Sequence, residues 1–205
     1  MLQEGASVLM VDVGGPALEK ALAKAKDVVP TPAGILDSII VDVTKEDQVA
    51  AAVARVDAWG GVDVMFNNAG IMNPKDGDAE DVVDEIWDLT MDINVKGVWY
   101  GSKHAVRSLR KHGKKRGSII NTASIVALVG AATPQLAYTA SKGAVLALTR
   151  ELAMVHAREG ETWEADRVFC VLTRPRISLQ LPMPRTAKVS LCIVVIVAAI
   201  AIDPR

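Results

Sequence analysis

The stretch "VDVMFNNAG", residues 62–70, decides the fold that we expect for this chain of 205 residues. A short apolar run is closed there by two asparagines, an alanine and a glycine. An apolar run bounded by turn residues is typical of a buried strand in a parallel sheet. Three other stretches have the same texture: "ASVLMVDV" (6–13), "SIIVDV" (38–43) and "GSIINTAS" (117–124).

Helical patterns lie between these predicted strands. Apolar residues recur at helical spacing over 16–26, 44–59, about 79–111 and about 136–158. Strands that alternate with helices of this length form βαβ units, in which the strands are parallel. The sequence therefore predicts an α/β fold, a Rossmann-like three-layer arrangement with helices on both faces of a parallel sheet.

Composition excludes several other classes of protein. The net charge of -1 gives no bulk attraction for nucleic acid, and no histidine or cysteine has a partner at zinc-ligand spacing. The apolar run 191–202 is shorter than the roughly 20 residues that a spanning helix needs. The N-terminus has neither the basic region nor the cleavage site of a signal peptide. We therefore expect a cytoplasmic protein that binds no metal and no nucleic acid.

Polar residues collect where the predicted strands end. In parallel sheets of this class, ligands bind beyond the carboxyl ends of the strands. The polar residues at these strand ends therefore indicate a binding site, and this inference does not depend on any resemblance to a family. These residues are Asp12, Asp42, Asn67, Asn68 and Ser124.

The motif "YTASK" places Tyr138 and Lys142 four residues apart, on one face of a predicted helix. A phenol alone is too weakly acidic to serve as a base at neutral pH. A cation about 4 Å away favours the ionised phenol by roughly 4 kcal/mol at an effective dielectric constant of about 20. The pair could thus act in acid–base catalysis, although a surface pair with no role has the same spacing.

Two other residues strengthen the catalytic interpretation. Ser124 closes a predicted strand just before this helix, where its hydroxyl could hold a substrate oxygen; the alternative is an ordinary strand-end serine. Asn94 lies in the middle of a predicted helix, where asparagine is unfavourable unless its side chain has a specific partner. A tolerated, exposed asparagine is the other possibility.

Asp12 has two interpretations. The following "VGGPALEK" could be a phosphate loop, but its glycine spacing does not fit G-x-G-x-x-G, and a carboxylate would repel phosphate. The strand could instead be the second strand of a dinucleotide fold, in which Asp12 binds the ribose 2′-hydroxyl. We prefer the second interpretation.

In this order, "NNAG", Asn94, "NTAS" and "YTASK" resemble the short-chain dehydrogenase/reductase family, over roughly residues 5–160. The resemblance implies that Tyr138 is the general acid/base and that Lys142 favours its ionised form and binds the nicotinamide ribose. Ser124 would position the substrate oxygen, and Asn94 would hold a water molecule of the proton relay. The implied reaction is reversible hydride transfer between NAD(P) and a carbonyl or secondary alcohol.

The resemblance also implies a cofactor site and a quaternary structure. Asp12 implies NAD rather than NADP, because a carboxylate repels a 2′-phosphate, and the helices 79–111 and 136–158 would form the interface of a dimer or tetramer. The residues implied to line the cofactor are Asp12, Asp42, Val43, Asn67, Asn68, Ala69, Gly70, Tyr138 and Lys142.

Both ends of the chain depart from the family pattern. No strand with a T-G-x-x-x-G-x-G phosphate loop precedes residue 6, and the last strand of the family is not recognisable. We therefore expect a sheet without its usual first and last strands. Because the first strand is central in this fold, its loss leaves a gap that must close, be filled or destabilise the domain.

The predicted organisation is an incomplete dinucleotide-binding domain at 1–160 followed by a divergent tail at 161–205. The tail contains one candidate strand at 167–173 and an apolar segment at 191–202, which could pair with an exposed strand edge. We hypothesise that the tail arises from a retained intron or a shifted reading frame, which transcript sequencing tests. The alternative to an active enzyme is an inactive fragment that associates with related subunits. The sequence does not identify a substrate.

Overall fold

The computed structural model describes residues 2–114, 117–157, 168–173 and 192–196. In chain order, the strands are β1 (Ser7–Asp12), β2 (Leu36–Ile40), β3 (Val64–Asn67), β4 (Ser118–Ser124), β5 (Val168–Thr173) and β6 (Cys192–Ile196). They form one parallel sheet with the order β2-β1-β6-β3-β4-β5.

The helices connect these strands as the alternating pattern predicts. They are α1 (Gly15–Val28), α2 (Glu46–Asp57), α3 (Asp84–Met91), α4 (Gly97–Lys111), α5 (Val126–Val129) and α6 (Leu136–Ala157). One turn of π-helix, Asp92–Lys96, joins α3 to α4. Within the described residues, no helix is long and apolar enough to cross a membrane.

Two sets of side chains alternate along the strands and bury opposite faces of the sheet. Leu9 and Val11 belong to the main core cluster, which also includes apolar residues of α2 and α4. Val8 belongs to a separate cluster together with Ala6. The crossover through α1 runs in the opposite direction along the sheet to those through α2, α4 and α6. Because such crossovers are right-handed, α1 covers the other face. The predicted α/β architecture is thus observed.

The centre of the sheet is where the structure departs from the predicted strand content. We expected the first-strand position to be missing, but β6 lies there, between β1 and β3. Val194 pairs with Leu9 on one side and with Met65 on the other. This order reproduces the 3-2-1-4-5-6 arrangement of dinucleotide-binding sheets, with β6 in the place of the first strand. The expected gap is therefore filled by the tail.

Two predicted elements have different bounds. The strand predicted at 38–43 ends at Ile40, which leaves Asp42 in the loop beyond it. The helix predicted over about 79–111 begins only at Asp84 and is interrupted by the π turn. A single π turn inside an α-helix is a local feature of about one turn, and the approximate apolar period of the sequence does not resolve it.

Candidate active site

The carboxyl ends of the strands form one edge of the sheet. Asp12, Asn67 and Ser124 are the last residues of β1, β3 and β4. Val11 and Asn67 both pair with Ile196 of β6, so the two strands that flank β6 end side by side. The structure thus brings the predicted strand-end residues to the edge where ligands bind in this class of sheet.

Tyr138 and Lys142 lie one turn apart near the start of α6. The ammonium nitrogen Nζ of Lys142 is 5.7 Å from the centroid of the Tyr138 ring. Lys142 is only 4% exposed, and its Nζ donates a hydrogen bond of 2.8 Å to the carbonyl oxygen of Thr122 in β4. The lysine is therefore a buried cation fixed to the strand that ends at Ser124, which a surface lysine would not be.

Asn94 is fully buried and occupies the π turn between α3 and α4. Its Oδ1 accepts a hydrogen bond of 2.7 Å from the N–H of Ile71, and its Nδ2 donates bonds of 2.9 Å to the carbonyl of Ile71 and to Oγ of Ser141. Asn94 therefore has the specific partner that its position in a helix suggested. Through these bonds, Asn94 links the loop after β3 to α6.

Gly70, the last residue of "NNAG", lies between Asn94 and Lys142. A Cβ atom at this position would be 3.2 Å from Nζ of Lys142 and 3.3 Å from Oδ1 of Asn94. Both distances are shorter than ordinary van der Waals contacts, and both neighbours are held by hydrogen bonds. Residue 70 is therefore glycine because the loop passes directly over two of the candidate catalytic side chains.

Ser124 is 6% exposed at the end of β4, and its Oγ accepts a long hydrogen bond of 3.4 Å from the N–H of Val126. A hydroxyl retains its own proton when it accepts a bond, so it can still donate to a substrate oxygen. Nearby, Oγ1 of Thr122 donates to Oδ1 of Asn68 over 3.0 Å. This bond connects the loop after β3 to β4.

Asn67 does not present its side chain to the open edge. It is 2% exposed, and its Nδ2 donates to Oγ of Ser102 in α4 and to Oδ1 of Asn121 in β4. Asn121 continues the network to Oγ1 of Thr149 in α6. The side chain of Asn67 thus joins two strands to two helices, and only its backbone could line a cofactor.

The two residues predicted to flank an adenine ring differ in their surroundings. Asp42 lies beyond β2, where its Oδ1 accepts hydrogen bonds from the N–H and the hydroxyl of Thr44. Val43 is 7% exposed and belongs to the core cluster, and a Cβ atom on Gly97 would lie 2.8 Å from it. Its side chain therefore packs against α4 instead of facing an open site.

A family model described as enoyl-(acyl carrier protein) reductase matches residues 1–165. The 3beta-hydroxysteroid dehydrogenase 2 of Eggerthella lenta is 40% identical over 160 residues, which are 78% of this chain and 59% of that protein. The chain belongs to the short-chain dehydrogenase/reductase family. The family and the fold class predicted from the motifs are thus confirmed.

Two further proteins are similar to this short-chain dehydrogenase/reductase, one in sequence and one in structure. The (+)-borneol dehydrogenase 2 of Salvia officinalis is 43% identical over 131 residues, which are 63% of this chain and 44% of that protein. The crystal structure of levodione reductase superposes with a TM-score of 0.70 at 32% identity, covering 76% of this chain and 58% of that one. This chain spans less than two thirds of the length of each of these three relatives.

The residues of this short-chain dehydrogenase/reductase fit a dinucleotide at its two ends. Lys142 supplies a buried ammonium group beside Tyr138 at the carboxyl end of β4. At the end of β1, Asp12 is 9% exposed, and its Oδ1 accepts a 2.8 Å hydrogen bond from the N–H of Gly14. The residues that follow β6 in the sequence, "VAAIAIDPR" (197–205), include no glycine and lie outside the described part of the chain. The described residues thus offer an ammonium group and a carboxylate that could contact the two riboses of a dinucleotide, without a glycine-rich phosphate loop of the family pattern among them.

Three residues of the site were not predicted from the sequence. Thr122 anchors Lys142, Ser141 binds Asn94, and the carboxylate of Asp76 accepts hydrogen bonds from the first residues of α6. Thr122 and Ser141 lie inside motifs that the sequence analysis quoted for other residues. Asp76 lies in the loop segment "NPKDGD", whose only local signal is that of a turn.

Proposed function

We propose that this short-chain dehydrogenase/reductase transfers hydride between NAD(P) and a carbonyl or secondary alcohol substrate. The observation that carries the proposal is the buried ammonium of Lys142, held by Thr122 and 5.7 Å from the ring of Tyr138. A lysine ammonium group held next to a phenol is the arrangement that a tyrosine acid/base needs, because the ammonium lies beside the group that exchanges the proton. Ser124, at the end of the same strand as Thr122, supports the assignment.

A nicotinamide cofactor, when bound, would supply the hydride chemistry, and Lys142 and Tyr138 would hold its ribose. For alcohol oxidation, the phenolate oxygen of Tyr138 would accept the proton of the substrate hydroxyl, and the hydride would pass from the carbon to the nicotinamide. For carbonyl reduction, the phenol hydroxyl of Tyr138 would return the proton to the substrate oxygen. Ser124 donates a hydrogen bond to that oxygen, and Asn94 keeps the loop after β3 against α6 through Ile71 and Ser141.

The test is turnover with three candidate substrates: a hydroxysteroid, borneol and levodione, chosen from the names of the relatives. Formation or consumption of NADH is followed by its absorbance. We expect Tyr138→Phe to lower kcat by about 10²- to 10⁴-fold, because a positioned acid/base contributes about that factor. The dissociation constant for NADH should change much less than kcat. Equal turnover by the wild type and Tyr138→Phe would contradict the assignment.

Within this proposal, Asp12 makes NAD the preferred cofactor. The carboxylate lies at the end of β1, and its charge would repel a 2′-phosphate group. Asp12→Asn is the sharpest variant, because the amide oxygen can still accept the hydrogen bond from Gly14 while the charge is lost. We expect the ratio of NADPH affinity to NADH affinity to rise in this variant. An unchanged ratio would show that Asp12 does not determine the preference for NAD over NADP.

The second candidate function is a non-catalytic subunit that associates with related chains. It is favoured by β6, which holds the central position of the sheet and is not followed by a glycine-rich sequence. Titration of NADH, followed by its fluorescence, separates the two candidates. Saturable binding in the micromolar range supports the oxidoreductase, whereas no binding up to millimolar NADH supports the subunit.

Both candidate functions include self-association of the chain through the helical segments 79–111 and 136–158. Large apolar side chains are exposed there: Leu89, Trp99, Leu136, Met154 and Val155. Exposed apolar residues on helices that are already packed against the sheet are suited to a helical interface. The mass of the chain in solution, measured by light scattering, tests this part of the proposal; a monomer at high micromolar concentration would contradict it.

A further inference from the structure

The first N–H groups of α6 donate hydrogen bonds to a loop that is distant in the sequence. The first N–H groups of a helix have no partner within the helix. The N–H of Leu136 donates to the carbonyl of Gly77 over 2.9 Å. The N–H groups of Ala137 and Tyr138 donate to Oδ1 and Oδ2 of Asp76 over 3.1 Å and 2.8 Å. Two adjacent loop residues thus hold three consecutive N–H groups, the last of which belongs to Tyr138.

The loop that carries Asp76 is itself held by local hydrogen bonds. Oδ1 of Asp76 also accepts a bond of 3.0 Å from the N–H of Gly77, and the N–H of Asp76 donates to the carbonyl of Asn73 over 3.0 Å. Asn73 accepts a further bond from the N–H of Lys75. The carboxylate is partly buried. These local bonds fix the carboxylate independently of α6, so the carboxylate can determine where the helix begins.

We propose that Asp76 is a positioning residue for Tyr138. Its carboxylate fixes the backbone of Tyr138 from the N-terminal side, while the bond from Lys142 to Thr122 fixes the next turn of the helix to β4. A negative charge at a helix N-terminus is also favourable toward the helix dipole. The phenol is thereby held at a fixed distance from Ser124. This inference rests on the proposed function, in which Tyr138 is the acid/base.

The contacts require a carboxylate, because both of its oxygens accept hydrogen bonds from N–H groups. An asparagine can offer only one accepting oxygen. In Asp76→Asn the amide NH₂ would therefore face either the N–H of Tyr138 or the N–H groups of Gly77 and Ala137. Asp76→Asn is nearly isosteric and removes part of the contact, whereas Asp76→Ala removes all of it.

Asp78 provides a matched control in the same loop. Its Oδ1 also accepts two backbone hydrogen bonds, from the N–H groups of Glu80 and Asp81, but neither group belongs to α6. Asp78→Asn therefore makes the same chemical change to a loop carboxylate without touching the helix that carries Tyr138. Any effect confined to the Asp76 variants cannot be a general effect of loop charge.

The experiment compares kcat, KM and backbone amide exchange for the wild type, Asp76→Asn, Asp76→Ala and Asp78→Asn. We expect Asp76→Ala to lower kcat by about 10- to 100-fold, the loss that a small misplacement of a catalytic group produces. Asp76→Asn should fall between Asp76→Ala and the wild type, with KM nearly unchanged in both. The amides of Ala137 and Tyr138 should both exchange faster in Asp76→Ala, one of them should exchange faster in Asp76→Asn, and that of Val145 should not change in either variant.

Three results would overturn the inference. They are a wild-type kcat in Asp76→Ala, an equal loss of kcat in Asp78→Asn, and unchanged amide exchange at Ala137 and Tyr138. If Asp76→Ala does not fold, the nearly isosteric Asp76→Asn decides. Failure of the proposed function has a different signature: the wild type then shows no turnover and Tyr138→Phe has no effect. In that case, the amide exchange of Ala137 and Tyr138 still tests whether Asp76 holds the first turn of α6.

Discussion

Oδ1 of Asn67 occupies the space in which any residue other than glycine at position 101 would carry its Cβ atom. A Cβ atom on Gly101 would lie 2.0 Å from this oxygen and 2.9 Å from Cγ of the same side chain. Asn67 cannot move away easily, because it is buried and its Nδ2 is bonded to Ser102 and Asn121. Helix α4 therefore approaches β3 this closely only because residue 101 has no side chain.

We predict that Gly101→Ala lowers the free energy of unfolding. Overpacking of a buried site costs about 1–3 kcal/mol, and the better helix propensity of alanine offsets about 1 kcal/mol. Gly143→Ala is the matched control, since a Cβ atom on this glycine of α6 meets nothing within 4 Å. It should stabilise the protein slightly. Denaturant unfolding of both variants measures the two effects, and a stabilised Gly101→Ala would refute the packing argument.

We predict that Lys142→Met lowers kcat by about 10²-fold or more, because the ammonium group beside the proposed acid/base is replaced by an apolar chain of similar length. Lys103→Met is the control. The Nζ atom of Lys103 lies 5.1 Å from the centroid of the Trp99 ring, so it is a comparable lysine–aromatic pair outside the site. Steady-state kinetics of both variants provide the measurement. Equal effects on kcat would show that the loss is not specific to the site.

We predict that Asp57→Asn destabilises the protein at neutral pH but has little effect in acid. Burial raises the pKa of Asp57, but hydrogen bonds from Lys111 and Ser108 outweigh it and hold the pKa below its ordinary value. A carboxylate with a lowered pKa stabilises the folded state above the unfolded pKa of about 3.9, and this contribution is lost as the pH falls through the folded pKa.

The expected loss for Asp57→Asn at neutral pH is about 1–2 kcal/mol, the range for hydrogen bonds to a charged group that is partly screened. Urea unfolding at a series of pH values from neutral to below about 4 measures it. Replacement of the exposed Glu80 by glutamine is the control and should have little effect at any pH. A difference for Asp57→Asn that stays constant across the series would contradict the linkage.

We predict that Val194→Pro prevents stable folding. Val194 pairs with Leu9 and with Met65, so β6 is hydrogen-bonded on both sides. Proline has no N–H group and is not tolerated in a central strand. Val194→Thr keeps the N–H group and the branched Cβ atom, and it serves as the control. Circular dichroism during heating compares the two, and a Val194→Pro variant as stable as the control would show that β6 does not hold the sheet together.

The short-range part of the structure could be predicted from the sequence. Buried strands leave short apolar runs and helices leave a period of about 3.6 residues, and both patterns report burial along a few consecutive residues. The α/β class and the positions of β1, β3 and β4 followed from these patterns. The order of "NNAG", Asn94, Ser124 and "YTASK" identified the family and placed Lys142 and Tyr138 on one helix face, because four residues make about one helical turn.

The tertiary structure alone decided the contacts between distant segments. From the sequence, the apolar segment 191–202 could pair with any exposed strand edge, and only the open position between β1 and β3 makes part of it a central strand. The bond from Asp76 to Tyr138 spans 62 residues and leaves no periodic signal. The inward orientation of Asn67 depends in the same way on Gly101. Sequence patterns record which residues are buried, whereas the partner of a buried polar group is set by how the chain folds back on itself.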